Sequence, residues 1–409
     1  MSSELNHYDL GNLCRVKHGY PFDGSKFENH GTYIVLTPGN FFEKGGFKRI
    51  KGKEKYYSDS FPQEYLCTKG DLIVAMTQQA EGLLGSTALV PESNLYLHNQ
   101  RIGLIFHNEN LVDKFYLYYL FMTSSVRKQI ADSASGTKIK HTSPEKIYSV
   151  SVSIPKIDIQ RRNASLLYSI DKKIETNSLI CAELEAMAKT LYDYWFVQFD
   201  FPDENGNPYR ASGGEMVWNE QIKQKIPKGW NITTIGKITA NFDSQRVPLS
   251  QNQRESIKGI IPYYGATGVM DYINDYIFDG QYVLIAEDGS VMDDLGHPIV
   301  QMIWDKTWVN NHAHVLRGIN NYSNEILYFV LKGIPVVKIM TGSIQKKINQ
   351  ENLNNYCIPS IPKKTLNQFY SYTKDVFEQI HHLELESKEL TKLRDWLLPM
   401  LMNGQARVE

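Results

Sequence analysis

Two long stretches of heptad spacing limit what this chain can fold into more than any other feature. Between Gln160 and Phe196, the residues Leu167, Ile170, Ile174, Asn177, Cys181, Leu184, Ala188, Leu191 and Trp195 recur at alternating steps of three and four. Between Leu366 and Leu398, the residues Phe369, Thr373, Val376, Ile380, Leu383, Ser387, Leu390, Arg394 and Leu397 do the same. That alternation is the seam of a coiled coil. Each stretch follows an Ile-Pro, at Ile154-Pro155 and at Ile361-Pro362, where proline suits a helix start. Pro399 is expected to end the second helix. Set antiparallel, the seams can slide by whole heptads. The favoured register opposes Asn177 with Ser387, Ile174 with Leu390, Cys181 with Leu383, Leu184 with Ile380 and Trp195 with Phe369. Sliding one heptad sets the Asn177 amide against Ile380 or Arg394. Against Ile380 it would be left unpaired, at about 1–3 kcal/mol.

The remaining sequence divides into a unit before each helix. In the first, Leu72–Met76 after Gly70-Asp71 and Ile102–Phe106 read as buried strands. Asp113–Ala131 reads as one helix, and Val150–Ile154 alternates like a strand. The expected division is 1–154, a central helix 155–200, a linker 201–227, a second unit 228–358, and a C-terminal helix 359–409. The linker is inferred from Pro202, Gly206, Pro208, Gly213 and Gly214. Asn207-Pro208-Tyr209 shares three residues with the NPPY motif of adenine methyltransferases, but lacks the second proline and reads as a turn.

The second unit repeats the order of the first. Gly280–Ala286 stands where Gly70–Ala75 stood, Asn310–Leu316 matches His98–Leu104, and Glu325–Val330 matches Phe115–Leu120. Thr341-Gly342-Ser343 matches Ser135-Gly136-Thr137 ahead of the last strand and its Ile-Pro. The chain is an internal duplication with a period of about half its length.

Several chemistries lack their signatures. There is no GxGxxG, no GxxxxGK[ST], no GxSxG and no HExxH. The four cysteines, Cys14, Cys67, Cys181 and Cys357, form no CxxC pair, so reduced thiols are expected rather than zinc or a disulfide framework. His312 and His314 share a face if the segment is a strand, but no third ligand is evident, so no metal is expected. The acidic pairs Glu287-Asp288 and Asp293-Asp294 read as solvated turns. No catalytic constellation and no cofactor site is expected. The N-terminus has no apolar leader and no run reaches membrane-spanning length, so a cytoplasmic chain without membrane contact is predicted.

The net charge of −1 gives no global signal for nucleic acid, so any such contact must be local. Lys44, Lys48, Arg49, Lys51, Lys53 and Lys55 crowd one loop with Phe42, Phe47 and Tyr56. Lys138 and Lys140 flank Ile139, and Lys346 and Lys347 stand at the corresponding place in the second unit. Such cations suit phosphate, while amides and hydroxyls suit base edges. Thr77, Gln78, Gln79 and Asn40 supply the latter in the first unit, and Thr267, Asn310 and Gln345 in the second. A merely solvated charged loop is the plainer alternative; recurrence in both halves favours nucleic acid.

The ordered segments GDLIVAMTQQAEGLLGSTALVP, SGTKIKHTSPEKIYSVSVSIPKIDIQ, NGNPYRASGGEMVWNEQIKQKIPKGW, IPYYGATG with FDGQYVLIAEDGS, and LRDWLLPMLMNGQ make the chain resemble the specificity subunit of type I restriction–modification systems. The resemblance covers nearly the whole length. It implies an α+β fold of two similar globular α/β target recognition domains joined by two long antiparallel coiled-coil helices, a pseudo-twofold internal repeat. It also implies that each domain reads one half of a bipartite site in double-stranded DNA. The helices would set the spacer and dock the modification (methyltransferase) subunits, two of them, and the restriction (nuclease/translocase) subunits. The subunit itself would be non-catalytic. The rival readings are a DNA methyltransferase or nuclease with fused recognition domains, and a coiled-coil scaffold that does not bind DNA.

Overall fold

A computed structural model describes residues 5–50, 52–78, 82–137, 139–342 and 346–408. The chain forms two compact units: residues 1–176 with 386–409, and residues 177–385.

The first unit is built on a four-stranded antiparallel sheet in the order Cys14–His18, Ile102–His107, Leu72–Ala75, Thr87–Leu89. The unbroken apolar run of Leu72–Ala75 follows from burial on both faces. Leu72 and Val74 pack with Tyr116, Leu117 and Leu120. Ile73 and Ala75 face Ile34, Leu36 and Tyr96, of which Ile34 and Tyr96 belong to the small sheet Tyr33–Val35, Tyr56–Tyr57 and Tyr96–Leu97. The single helix expected over Asp113–Ala131 is two, Lys114–Met122 and Ser124–Ser133. Thr123 between them is extended, and its hydroxyl donates to the Leu120 carbonyl at 2.7 Å. That local bond competes with the helical one.

The second unit repeats this plan. Its central sheet runs Thr239–Asn241, Ala313–Gly318, Tyr282–Ala286, Val300–Ile303, all antiparallel, with the helix Asn324–Lys332 packed on it. The duplication holds at the level of the ladder. A ribbon of Asn6–Asp9 with Ser151–Ile154 closes the first unit in the register Asn6↔Ile154. Asn231–Thr234 with Cys357–Ser360 closes the second in the register Asn231↔Ser360. The sequence-based match needs one adjustment. Ala75 pairs Ile102 and Ala286 pairs Ala313, so His314 corresponds to Gly103, not Ile102. The loop before this strand is one residue shorter in the second unit.

The proposed linker is packed structure, not a tether. Phe199 and Phe201 are buried. Phe201 stacks between Tyr209 and Trp230 at 4.9 and 5.1 Å, and Met216–Asn219 pairs with Gln224–Pro227 as a hairpin. Glycine and proline marked its turns, while the aromatic residues among them supplied its core.

The central helix spans Ile157–Tyr192 and continues as a π turn, Asp193–Val197. A wider turn lets the adjacent Trp195 and Phe196 both point inward, where both rings meet Phe369 at 5.6 and 5.0 Å. The C-terminal helix spans Lys363–Met402, so Pro399 lies inside it. A proline inside a helix costs about 3 kcal/mol. Here the helix beyond it is held by burial of Leu401 and Met402, by Asn163 Nδ2 donating to the Leu401 carbonyl at 3.0 Å, and by the Tyr116 hydroxyl on the Met402 carbonyl at 3.2 Å.

Within each unit the two helices run antiparallel. In the first, Arg394 meets Asp171 at 2.8 Å and Lys173 meets Glu386 at 3.2 Å. In the second, Trp195 faces Phe369 and the Cys181 thiol lies 3.8 Å from the Ile380 carbonyl. The seam residues Asn177 and Ile380 are buried, and Ile174, Cys181, Leu184, Leu383, Ser387 and Leu390 are half-buried. A Leu383→Cys variant is expected to crosslink to Cys181 under mild oxidation. A folded variant that stays reduced would place the seam in another register.

Candidate nucleic-acid interface

Each unit projects a short ribbon from the end of its central strand. In the first unit Thr77–Gln78 pairs with Lys140–His141. In the second, Asp288 bridges Lys347, and Lys347–Ile348 pairs with Met340–Thr341. Matching backbone bonds fasten the two. The Thr142 amide donates to the Met76 carbonyl at 2.9 Å, and the Ile348 amide to the Glu287 carbonyl at 2.8 Å. A helix follows each ribbon, capped by Ser143 or Asn349. Lys140 therefore corresponds to Lys346 and His141 to Lys347.

The polar residues proposed from sequence divide by burial. Gln78 is buried, and its side-chain carbonyl accepts from the amides of Leu83 and Leu84 at 3.0 and 2.7 Å. Thr77 is buried against the His141 ring at 3.1 Å. Asn40 accepts from the Thr37 amide at 2.8 Å and donates to the Lys48 carbonyl at 3.2 Å. Asn310 accepts from the His312 amide at 2.8 Å. Each of these four holds its own loop in shape through these bonds. The Gln78 side-chain carbonyl uses both of its lone pairs on loop amides.

The cations lie outside. Lys48 and Arg49 are exposed, Lys48 over the Phe42 ring at 5.8 Å and Arg49 paired with Glu92 at 3.1 Å. Lys44 pairs with Asp395 at 3.2 Å while remaining largely exposed. Lys140 and Thr267 are exposed. Lys347 pairs with Glu287 at 2.8 Å, and Lys346 is half-buried near Met292. Lys51, Gln79, Lys138 and Gln345 lie outside the described residues.

Two groups were not assembled by the sequence reading, although His314 and Glu287 were each noted in it. Arg127 donates to the carbonyls of Glu43 and Gly82, tying together the two loops that flank the first ribbon. In the second unit Asp243, Glu287 and His314 place ligand-type atoms within 4.8 Å of one another. Arg246 sits on the same carboxylates, 2.7 Å from Glu287 and 3.5 Å from Asp243. A guanidinium thus pairs with both carboxylates of this group. His312 does not join this group, because its ring turns to Asp288 at 2.6 Å.

Two repeated units, each carrying a short ribbon beyond its central sheet, and two long helices with heptad seams are the features that the comparisons with known proteins must match. The chain belongs to the family described as type I restriction modification DNA specificity domain, which matches residues 2–186 and 227–391. It is similar to the type I restriction enzyme MjaIX specificity subunit of Methanocaldococcus jannaschii, 25% identical over 329 residues covering 76% of this chain and 73% of that one. It is also similar to the HindI specificity subunit of Haemophilus influenzae, 22% identical over 404 residues covering 82% and 86%. In fold it is similar to the S subunit of a type I restriction–modification system from M. genitalium, with a TM-score of 0.58, 16% identity, and 98% and 96% of the two chains covered. No helix among the described residues is long and apolar enough to cross a membrane.

Proposed function

We propose that this chain is the non-catalytic reader of a bipartite double-stranded DNA target, one half-site for each recognition domain, 1–154 and 228–358. Its long helices set the spacer and dock two modification subunits together with restriction subunits. The observation that carries this reading is the repeated ribbon. The same backbone frame carries exposed Lys140 and His141 beside buried Thr77 and Gln78 in one unit, and Asp288, Lys346 and Lys347 in the other. One frame with two chemistries suits two half-sites of different sequence. Near-neutral overall charge fits a reader whose partners supply much of the phosphate contact. Mapping methylated bases in cells with and without the gene tests the reading: a gapped two-part motif should vanish with the gene. Methyl transfer by the purified chain alone would instead support a self-sufficient methyltransferase.

Lys44, Lys48, Arg49, Lys51, Lys138, Lys140, Lys346 and Lys347 are the proposed phosphate contacts. Thr267, Gln79 and Gln345 are the proposed base contacts. Replacing Lys48, Arg49 and Lys51 together by Ala is expected to weaken DNA binding by the assembled complex and to flatten its salt dependence by up to about 0.9 per lost contact. Arg49 must first leave Glu92, so its share is the smallest. Sequence preference should hardly change. An unaltered salt slope would mark the loop as merely solvated.

A further inference from the structure

We infer that His314, as an imidazolium, is the positioning residue of the second unit's ribbon, so that reading of the second half-site alone depends on its proton. This rests on the function proposed above. His314 is buried at the position where the first unit has Gly103. Its Nδ1 lies 2.5 Å from Asp243 Oδ2 and its Nε2 lies 2.9 Å from the Ile348 carbonyl. Both partners are acceptors, so both ring nitrogens must donate. A neutral ring satisfies only one of them. Whichever proton leaves, a lone pair then faces either a carboxylate or the ribbon carbonyl.

The acceptors cannot easily turn away. Asp243 accepts from the Val315 amide at 2.8 Å and from Asn241 at 3.0 Å. Glu287, 3.6 Å from His314 Nδ1, is held by Arg246 at 2.7 Å and Lys347 at 2.8 Å. The neighbouring ribbon charges are Asp288, paired with His312, and Lys346. The bond from His314 reaches Ile348, next to Lys347 and one residue beyond Lys346. Burial pulls the His314 pKa down. The Asp243 hydrogen bond and charge, the Ile348 carbonyl and Glu287 outweigh that, leaving it above the ordinary histidine value. A raised folded-state pKa gives a contribution that is full below about 6.5 and lost as pH rises through the folded value.

Among the described residues, the first unit has no histidine at the matching position. A Cβ at Gly103 would fall 2.4 Å from Val16 Cγ1 and 2.9 Å from Val74 Cγ1, so the position admits no side chain. Its ribbon histidine, His141, meets the Thr77 hydroxyl, a group that can donate or accept.

The test uses the assembled complex and duplexes of the mapped target with single base-pair changes in one half-site or the other. As pH rises from 6 through the folded-state pKa of His314, discrimination at the second half-site is expected to fall about tenfold, the weight of one hydrogen bond to a charged group. Discrimination at the first should hold. His314→Gln should show weak second-site discrimination that no longer varies with pH. A parallel fall at both half-sites, or pH dependence retained in H314Q, overturns the proposal. Long-range nitrogen–proton spectra of the unmodified chain give a reading independent of DNA. Both His314 nitrogens should carry protons at pH 6, below the ordinary histidine value, and a singly protonated ring there would also overturn it.

Discussion

Exchanging residues 6–154 for the matching unit of a relative is expected to replace one half of the DNA target and leave the other half intact. The cut points follow from the ladder. Asn6 and Ile154 are paired neighbours in one ribbon, so the segment enters and leaves the unit side by side. Every strand of both first-unit sheets lies between them. Contacts that cross the cut must be kept in the donor. These include the Tyr116 hydroxyl on the Met402 carbonyl and the Asp113 amide on the Gln160 side chain. A mismatched base pair costs a reader about 1–3 kcal/mol. A chimera with a new first unit should therefore abandon the old half-site almost completely across its several positions. Mapping methylated bases in cells carrying the chimera checks this. If both halves of the motif change, the two units do not read independently.

The scaffold was legible because it is written in periodicity. The seams appear directly in the sequence, and the repeat shows in the order of short segments even where few residues match. The burial of Leu72–Ala75 on both faces was legible for the same reason, since an unbroken apolar run has no solvated side. Where local rules met tertiary packing, they gave way. Pro399 should stop a helix, yet docking of Leu401 and Met402 carries the helix past it. The linker displayed its turns, but Phe201 stacked between Tyr209 and Trp230 depends on a partner further along the chain.

The interface was less legible than the scaffold. Residue type picked out Gln78 and Asn310 as polar loop groups, but only geometry shows that their side-chain carbonyls accept from loop backbone amides. The Arg246, Glu287, Asp243 and His314 group joins residues from distant parts of the chain, so no spacing could announce it. The exposure of Lys44, Lys48 and Lys140 was easier to anticipate, because a cation on a loop is usually exposed wherever that loop goes.

Lengthening both long helices by one heptad is expected to lengthen the DNA spacer without altering either half-site. The central helix has 36 residues, about 54 Å at 1.5 Å per residue, which exceeds the 34–36 Å or so of one turn of B-DNA. Seven residues added between Thr176 and Asn177, and seven between Leu385 and Glu386, preserve the alternation of three and four in both seams. They add about 10 Å to each helix. If the helices act as the ruler, the spacer should grow by up to about three base pairs, at 3.4 Å each. Each added base pair also rotates the second half-site about the DNA axis. Some of the gain can therefore be absorbed as twist in the DNA, whose deformation carries its own energy. The half-site sequences should stay as they were, since no ribbon or basic loop is touched. The measurement is the mapped motif of the insertion protein beside that of the parent. An insertion protein that folds, assembles and still methylates sites of the original spacing would reduce the helices to a docking platform, with the spacer fixed elsewhere in the complex.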